Sequence, residues 1–190
     1  ARLARRQPSR ADFARLRRMG EALGDEALRA LDRLRAAEAR LCVASQTVTL
    51  PLLPAPSVAQ LEGLVAQTDA QLAEAQRGLP SGRIRVLRAM LAWARDTLAA
   101  LEEGHAAQSV AAEIQVLCLG DNAVVGLPGE PFTEIGEEIE CRAPARQLLV
   151  CGYANDDIGY IPARADYARG GYEIEEAYKY YGYPAALAPE

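Results

Sequence analysis

The 190-residue sequence contains one histidine, one lysine and one tryptophan. With His105 the single histidine and no C-x-x-C pair among Cys42, Cys118, Cys141 and Cys151, the sequence argues against a Cys/His zinc site. No apolar run approaches the ~20 residues needed to cross a bilayer, so no transmembrane segment is expected. The Arg-rich start has no apolar h-region, so no signal peptide is read there. The chain begins at Ala1 rather than Met and is read as a processed product or a piece of something longer. A net charge of −5 argues against a general nucleic-acid binder. Nothing in the sequence assigns a compartment.

Half the residues are hydrophobic and a quarter are charged, ordinary values for a soluble globular protein. The length suits one substantial domain spanning 1–190. Residues 1–50 carry 11 Arg against 6 acids, whereas 131–190 carry 11 acids against 5 bases. Solvated helix faces account for this asymmetry. The Ala- and Arg-rich composition points to a GC-rich genome. Cys42, Cys118 and Cys151 lie in apolar runs and read as small buried hydrophobes.

Ser9 and Asp12 resemble a capping box that opens a helix to about Gly24, and a second helix is expected from Asp25 to Arg40. The alternating, β-branched stretch from Val43 to Leu50 predicts a strand. Ser57 and Gln60 form another capping box. It begins one arm of a helical hairpin that runs to Arg77, and Ser81 begins the other, which ends at Gly104. Trp93 is expected to pack inside this hairpin. A β-hairpin turns at Gly120-Asp121-Asn122, a short helix spans Phe132 to Arg142, and Leu148 to Gly152 reads as a buried strand. The fold class is therefore α/β, a mixed sheet flanked by helices including an α-helical hairpin. Residues 1–105 are mainly helical with one strand, and 106–190 are strand-rich.

The chemistry concentrates in the last third. Leu127-Pro128-Gly129-Glu130-Pro131 places a carboxylate where a strand ends and a helix begins, at or near the N-cap. All eight tyrosines fall within the last 38 residues, beside strand-end Asp and Gly. Tyrosines suit a half-buried surface without any catalytic duty. Clustered beside a strand-end carboxylate, they mark a candidate site.

Gly120-Asp121, Pro128-Gly129-Glu130, Gly152-Tyr153-Ala154-Asn155, Tyr160-Ile161 and Gly171-Tyr172-Glu173 together resemble the C-terminal catalytic region of the neutral/alkaline (non-lysosomal) ceramidases. Tyr160, Tyr167 and Tyr172 keep that family's spacing of 7 and 5. The resemblance covers roughly residues 110–182. It departs at Pro162-Ala163-Arg164-Ala165-Asp166, where the family carries T-T-x-E-E, and the family's Gln before Tyr-Glu is missing.

The resemblance implies a zinc-dependent amidohydrolase acting on N-acylated sphingoid-type lipids. In that family one zinc is held by two His, a Glu and a Tyr. The Glu maps onto Glu130 and the Tyr onto Tyr160, while Tyr172 maps onto a residue that polarises the scissile amide carbonyl. The family's histidines and nucleophile lie in its N-terminal half, which would be the chain's partner in one larger catalytic unit. The chain alone is then expected to be inactive. The alternatives are a related metal-dependent hydrolase of another amide or ester, and a non-catalytic domain that kept the fold.

Overall fold

A computed structural model describes residues 10–34, 40–75 and 81–189. The chain divides into two compact units, Ala1–Ala39 and Arg40–Glu190. The first contains helix α1, Arg10–Asp32. The sequence predicts a break at Gly24, yet the helix runs through it. An interior glycine costs about 1 kcal/mol relative to alanine, and a helix already nucleated on both sides absorbs that cost. Beyond Gly24, Glu26 accepts from Arg29 at 3.0 Å and from Arg33 at 2.7 Å. The expected Ser9 cap and the stretch 35–39 lie outside the described residues. Phe13, Leu16, Met19, Leu23, Leu28 and Leu31 are exposed along α1.

The second unit is α/β, with a mixed four-stranded sheet and flanking helices, as the sequence predicts. Its sheet has the order β1 (Leu41–Pro51), β2 (Ser109–Leu119), β3 (Asn122–Gly126), β5 (Gln147–Cys151). The first two pairings are antiparallel and the last is parallel. Gly120, with φ +59°, takes the first position of the two-residue β2–β3 loop. A type II′ hairpin turn demands glycine there.

Helices α2 (Val58–Ala75) and α3 (Ser81–Glu102) form the expected hairpin, with the expected end of its first arm at Arg77 outside the described residues. The Ser57 cap is reciprocal. The Ser57 amide donates to Gln60 Oε1 at 2.8 Å, and the Gln60 amide donates to Ser57 Oγ at 3.3 Å. Leu61, Trp93 and Ala94 form the hairpin core, with Tyr178 meeting Trp93 edge-on at 5.9 Å between centroids. A second core joins Val110 and Ala112 of β2 to Ile158 and Leu187. The final residues close over it. The Leu53 amide donates to Ala186 O at 2.8 Å, and Ala188 donates to Pro51 O at 2.8 Å.

Two burial expectations are corrected. Strand β5 is not fully buried, because it is the sheet's edge and Leu149 is 59 % exposed. Of the three cysteines expected to be buried hydrophobes, Cys42 is exposed, on the opposite edge strand β1, and Cys118 and Cys151 are only half-buried. Val43, Leu117, Val124 and Leu149 share one row across all four strands. The outer two, Val43 and Leu149, are both more than half exposed.

Trp93 is 5 % exposed, and its indole N–H donates to Tyr183 O at 2.7 Å. This bond ties the hairpin to the tyrosine-rich terminus. Trp93→Phe keeps an aromatic ring and strands that carbonyl, so stability should fall by about 1–3 kcal/mol in denaturant unfolding. An unchanged midpoint would show that the bond carries nothing.

Candidate functional site

Strand β3 leads through Leu127 and the buried Pro128 into β4, Glu130–Pro131, and then α4, Thr133–Arg142. Strand β6, Tyr160–Ile161, pairs with β4 in parallel, and Glu130 stands directly beside Tyr160. The corner is held by main chain. Leu127 N–H donates to Cys151 O at 2.8 Å, Tyr153 N–H to Gly129 O at 2.7 Å, and Ala154 N–H to Leu127 O at 2.9 Å. Glu130 N–H donates to Gly159 O at 2.9 Å, and Phe132 N–H to Ile161 O at 3.0 Å.

This corrects the expected setting of Glu130. It does not cap a helix. Phe132 is the N-cap, Glu130 is a strand residue, and its own N–H is used in the β4–β6 pairing. Pro131 can sit in β4 because the short strand asks it for no amide donor, as the neighbouring donors Glu130 and Phe132 complete the ladder.

Glycine is required where the two strands approach. A Cβ on Gly129, at φ +147°, would lie 2.4 Å from Gly159 O. One on Gly152 would lie 2.7 Å from Gly129 O.

The structure brings all three sequence-predicted site residues together. Tyr160 neighbours Glu130, and the Tyr172 ring meets Tyr160 edge-on, with centroids 6.2 Å apart at 79°. Tyr172 opens α5, Tyr172–Glu175, and is 51 % exposed. Tyr180 extends the group, 6.4 Å from Tyr172.

The sequence reading gave no role to Tyr153, although its phenol donates to Glu130 Oε2. Tyr153 has φ +53° and follows Gly152 at the end of β5, with Asn155 at φ +69° two residues on. Left-handed backbone is unusual for a bulky side chain and concentrates at functional corners. The legible signal was a large polar aromatic in a Gly-x-x-Asn strand-end loop. His105 is not part of the group. It is exposed at the end of the hairpin and sits 3.3 Å from Glu103.

The phenols respond to the carboxylate. Hydrogen bonding to Glu130 pushes Tyr153 well above the ordinary tyrosine range. Burial, followed by the Glu130 charge, pushes Tyr160 up. Burial and then the Asp157 charge raise Tyr181, whose ring packs on Gly159. Both Glu130-linked phenols are thereby held neutral, as donors rather than phenolates. A cavity of about 570 Å³ opens beside Glu130 and Tyr153, bounded also by Phe132, Glu137, Glu140 and Val150.

A zinc ion needs about four ligands, with carboxylate and phenol oxygens acceptable when nitrogen ligands complete the set. Glu130 and Tyr160 are adjacent oxygen donors and fit two of those places. Among the described residues no group of three or more His, Cys, Asp or Glu is arranged for a metal. The chain's own residues thus fit one part of such a centre. Also among the described residues, no helix is long and apolar enough to cross a membrane. Comparison with protein-family models, curated proteins and solved structures finds no match.

Two tests follow from this geometry. Gly129→Ala should cost about 1–3 kcal/mol by overpacking against backbone. Gly136→Ala, in open space on α4, should be neutral or stabilising. Equal effects in thermal unfolding would refute the close-approach argument.

The second test is a titration. A phenol raised in the folded state adds stability that is whole below its unfolded pKa, about 10, and is lost as pH rises through the folded value. Glu130→Gln should bring Tyr153 and Tyr160 down towards the ordinary value and shrink that alkaline loss. Tyrosinate absorbance against pH reads this out, and an unchanged curve would remove Glu130 as the cause.

Proposed function

We propose that this chain is the C-terminal portion of a ceramidase-like zinc amidohydrolase. The observation that carries the reading is the pairing of Glu130 with Tyr160, with the Tyr172 ring against Tyr160. Three residues chosen for their match to one family's motifs, 42 positions apart at the extremes, converge on one corner.

In this reading the Glu130 carboxylate and the Tyr160 oxygen hold the ion. Two histidines and the nucleophile come from an N-terminal half of the same catalytic unit. Bound zinc supplies Lewis acidity at an amide carbonyl and lowers the pKa of a water. Tyr172 donates a hydrogen bond to the carbonyl oxygen as charge develops there. Tyr153 competes for Glu130 and keeps its carboxylate oriented until the ligand set is complete. A groove of about 600 Å³ begins one residue from Tyr160, where Leu50, Ile135, Ile161, Tyr167 and Leu187 would meet the apolar part of a lipid-like substrate and Glu134, Glu138 and Arg164 its polar part. The open apolar row Val43–Leu117–Val124–Leu149 supports a larger packed unit, since contiguous exposed apolar surface usually marks a covered interface.

The test uses the protein with its upstream residues included, assayed on an N-acyl sphingoid lipid and on a short N-acyl amide. Tyr172→Phe should lower turnover about 100- to 1,000-fold while zinc content holds, because one donor to the developing oxyanion is lost. Tyr160→Phe should instead reduce zinc stoichiometry, because a ligand is deleted. Turnover on the short amide alone would favour the related-hydrolase alternative. Absence of zinc and of turnover in the wild-type protein would leave the non-catalytic domain.

A further inference from the structure

We propose that Cys42 and Cys118 form a reversible intramolecular disulfide that ties the edge strand β1 to β2. The two residues are direct partners in the antiparallel β1–β2 register, so their side chains leave the same face of the sheet. Directly opposed antiparallel residues have Cα atoms about 4.5 or about 5.5 Å apart, according to their place in the ladder. Both spacings lie within the roughly 4.4–6.8 Å that a disulfide spans. The pairing is pinned on the hairpin side as well, where Gly120 N–H donates to Arg40 O at 3.1 Å. All four cysteines are free thiols in this structure. Among the described residues no other two cysteines are strand partners. Cys151 pairs with Gly126 and projects from the opposite face, and Cys141 lies in α4.

Exposure sets the order of events. Cys42 is exposed and Cys118 is half-buried. The oxidant is a low-molecular-weight disulfide such as oxidised glutathione. The Cys42 thiolate attacks one of its sulfurs, the reagent's S–S bond breaks, and one molecule of free thiol departs. Cys118 then attacks Cys42 Sγ, the mixed disulfide breaks, and a second free thiol departs. The two protons lost by the cysteines end on the two departing thiols. The protein pair is oxidised by two electrons and the reagent is reduced by two. The closed loop contains the whole α2–α3 hairpin, so the bond removes freedom from the unfolded chain. The exposed Cys42 side of the bond is also open to attack by external thiol, which makes it reversible.

The experiment equilibrates the reduced protein with oxidised glutathione, blocks remaining thiols with maleimide and maps peptides without reduction. The expected result is two of the four thiols protected. The product should be monomeric, lighter by two hydrogens, and should give one crosslinked peptide pair joining Cys42 to Cys118. Its unfolding midpoint should rise and return with dithiothreitol. Cys42→Ser and Cys118→Ser should each abolish the crosslink and the rise, with circular dichroism confirming that both variants fold. Four maleimide-labelled thiols after equilibration would overturn the proposal. A link between molecules, or one through Cys141 or Cys151, would also overturn it.

Discussion

The structure of this site depends on one ladder of backbone hydrogen bonds. It runs between the Leu127–Phe132 corner and the segment Cys151–Ile161, and it sets Glu130 beside Tyr160. Each net bond is worth only about 1 kcal/mol, but several share one register and fail or hold together. The ladder also explains the glycines. Gly129 and Gly152 sit where the two segments touch backbone to backbone, and a methyl group at either would push them apart. A one-residue slip would send Glu130 and Tyr160 to different neighbours, so the glycines protect the site and not merely the turn.

Electrostatics at the corner pulls in one direction. Glu130 faces Tyr153 and Tyr160, with Asp157 and Glu173 close enough to raise neighbouring phenols further. No basic side chain is among the causes that shift these tyrosines. Phenol hydrogens partly neutralise the carboxylate, at the cost of holding the phenols protonated. A cation placed beside the Tyr160 phenol would oppose its upward shift, because opposite charge favours the anionic form. The proposed ion-binding role is compatible with this asymmetry, which a packed cluster of rings around one carboxylate would share.

Much of the fold was legible because periodicity and punctuation agreed. The Ser57–Gln60 cap, the hairpin helices and the Gly120 turn each rest on local chemistry that tertiary contacts leave alone. Other readings failed where the deciding fact was non-local. Gly24 looked like a stop, but helix on both sides carried through it. Glu130 looked like a cap because Pro131 and Phe132 suggested a helix start. Its amide instead donates to Gly159 O, at the start of the partner strand about 30 residues away. Leu148–Cys151 looked buried from composition, yet strand order put it at an edge, and strand order cannot be read from a single strand. The tyrosine spacing singled out Tyr160 and Tyr172, whose rings the fold brings edge-on to one another. Tyr153 escaped because its importance lies in a left-handed backbone angle.

Tyr153 also separates two accounts of the corner. Were the cluster only packing, its outer tyrosine would be expected to bury its ring and satisfy its hydroxyl with solvent or main chain. Instead the ring is 55 % exposed, the backbone is in the left-handed region, and the hydroxyl goes to Glu130. Little apolar burial offsets the backbone cost. What the arrangement does supply is a fixed donor to one oxygen of Glu130, alongside the hydrogen bond between the Tyr160 phenol and the same carboxylate. A carboxylate held by two phenol donors keeps a defined direction, which is the property a metal ligand or substrate anchor needs and a packing residue does not.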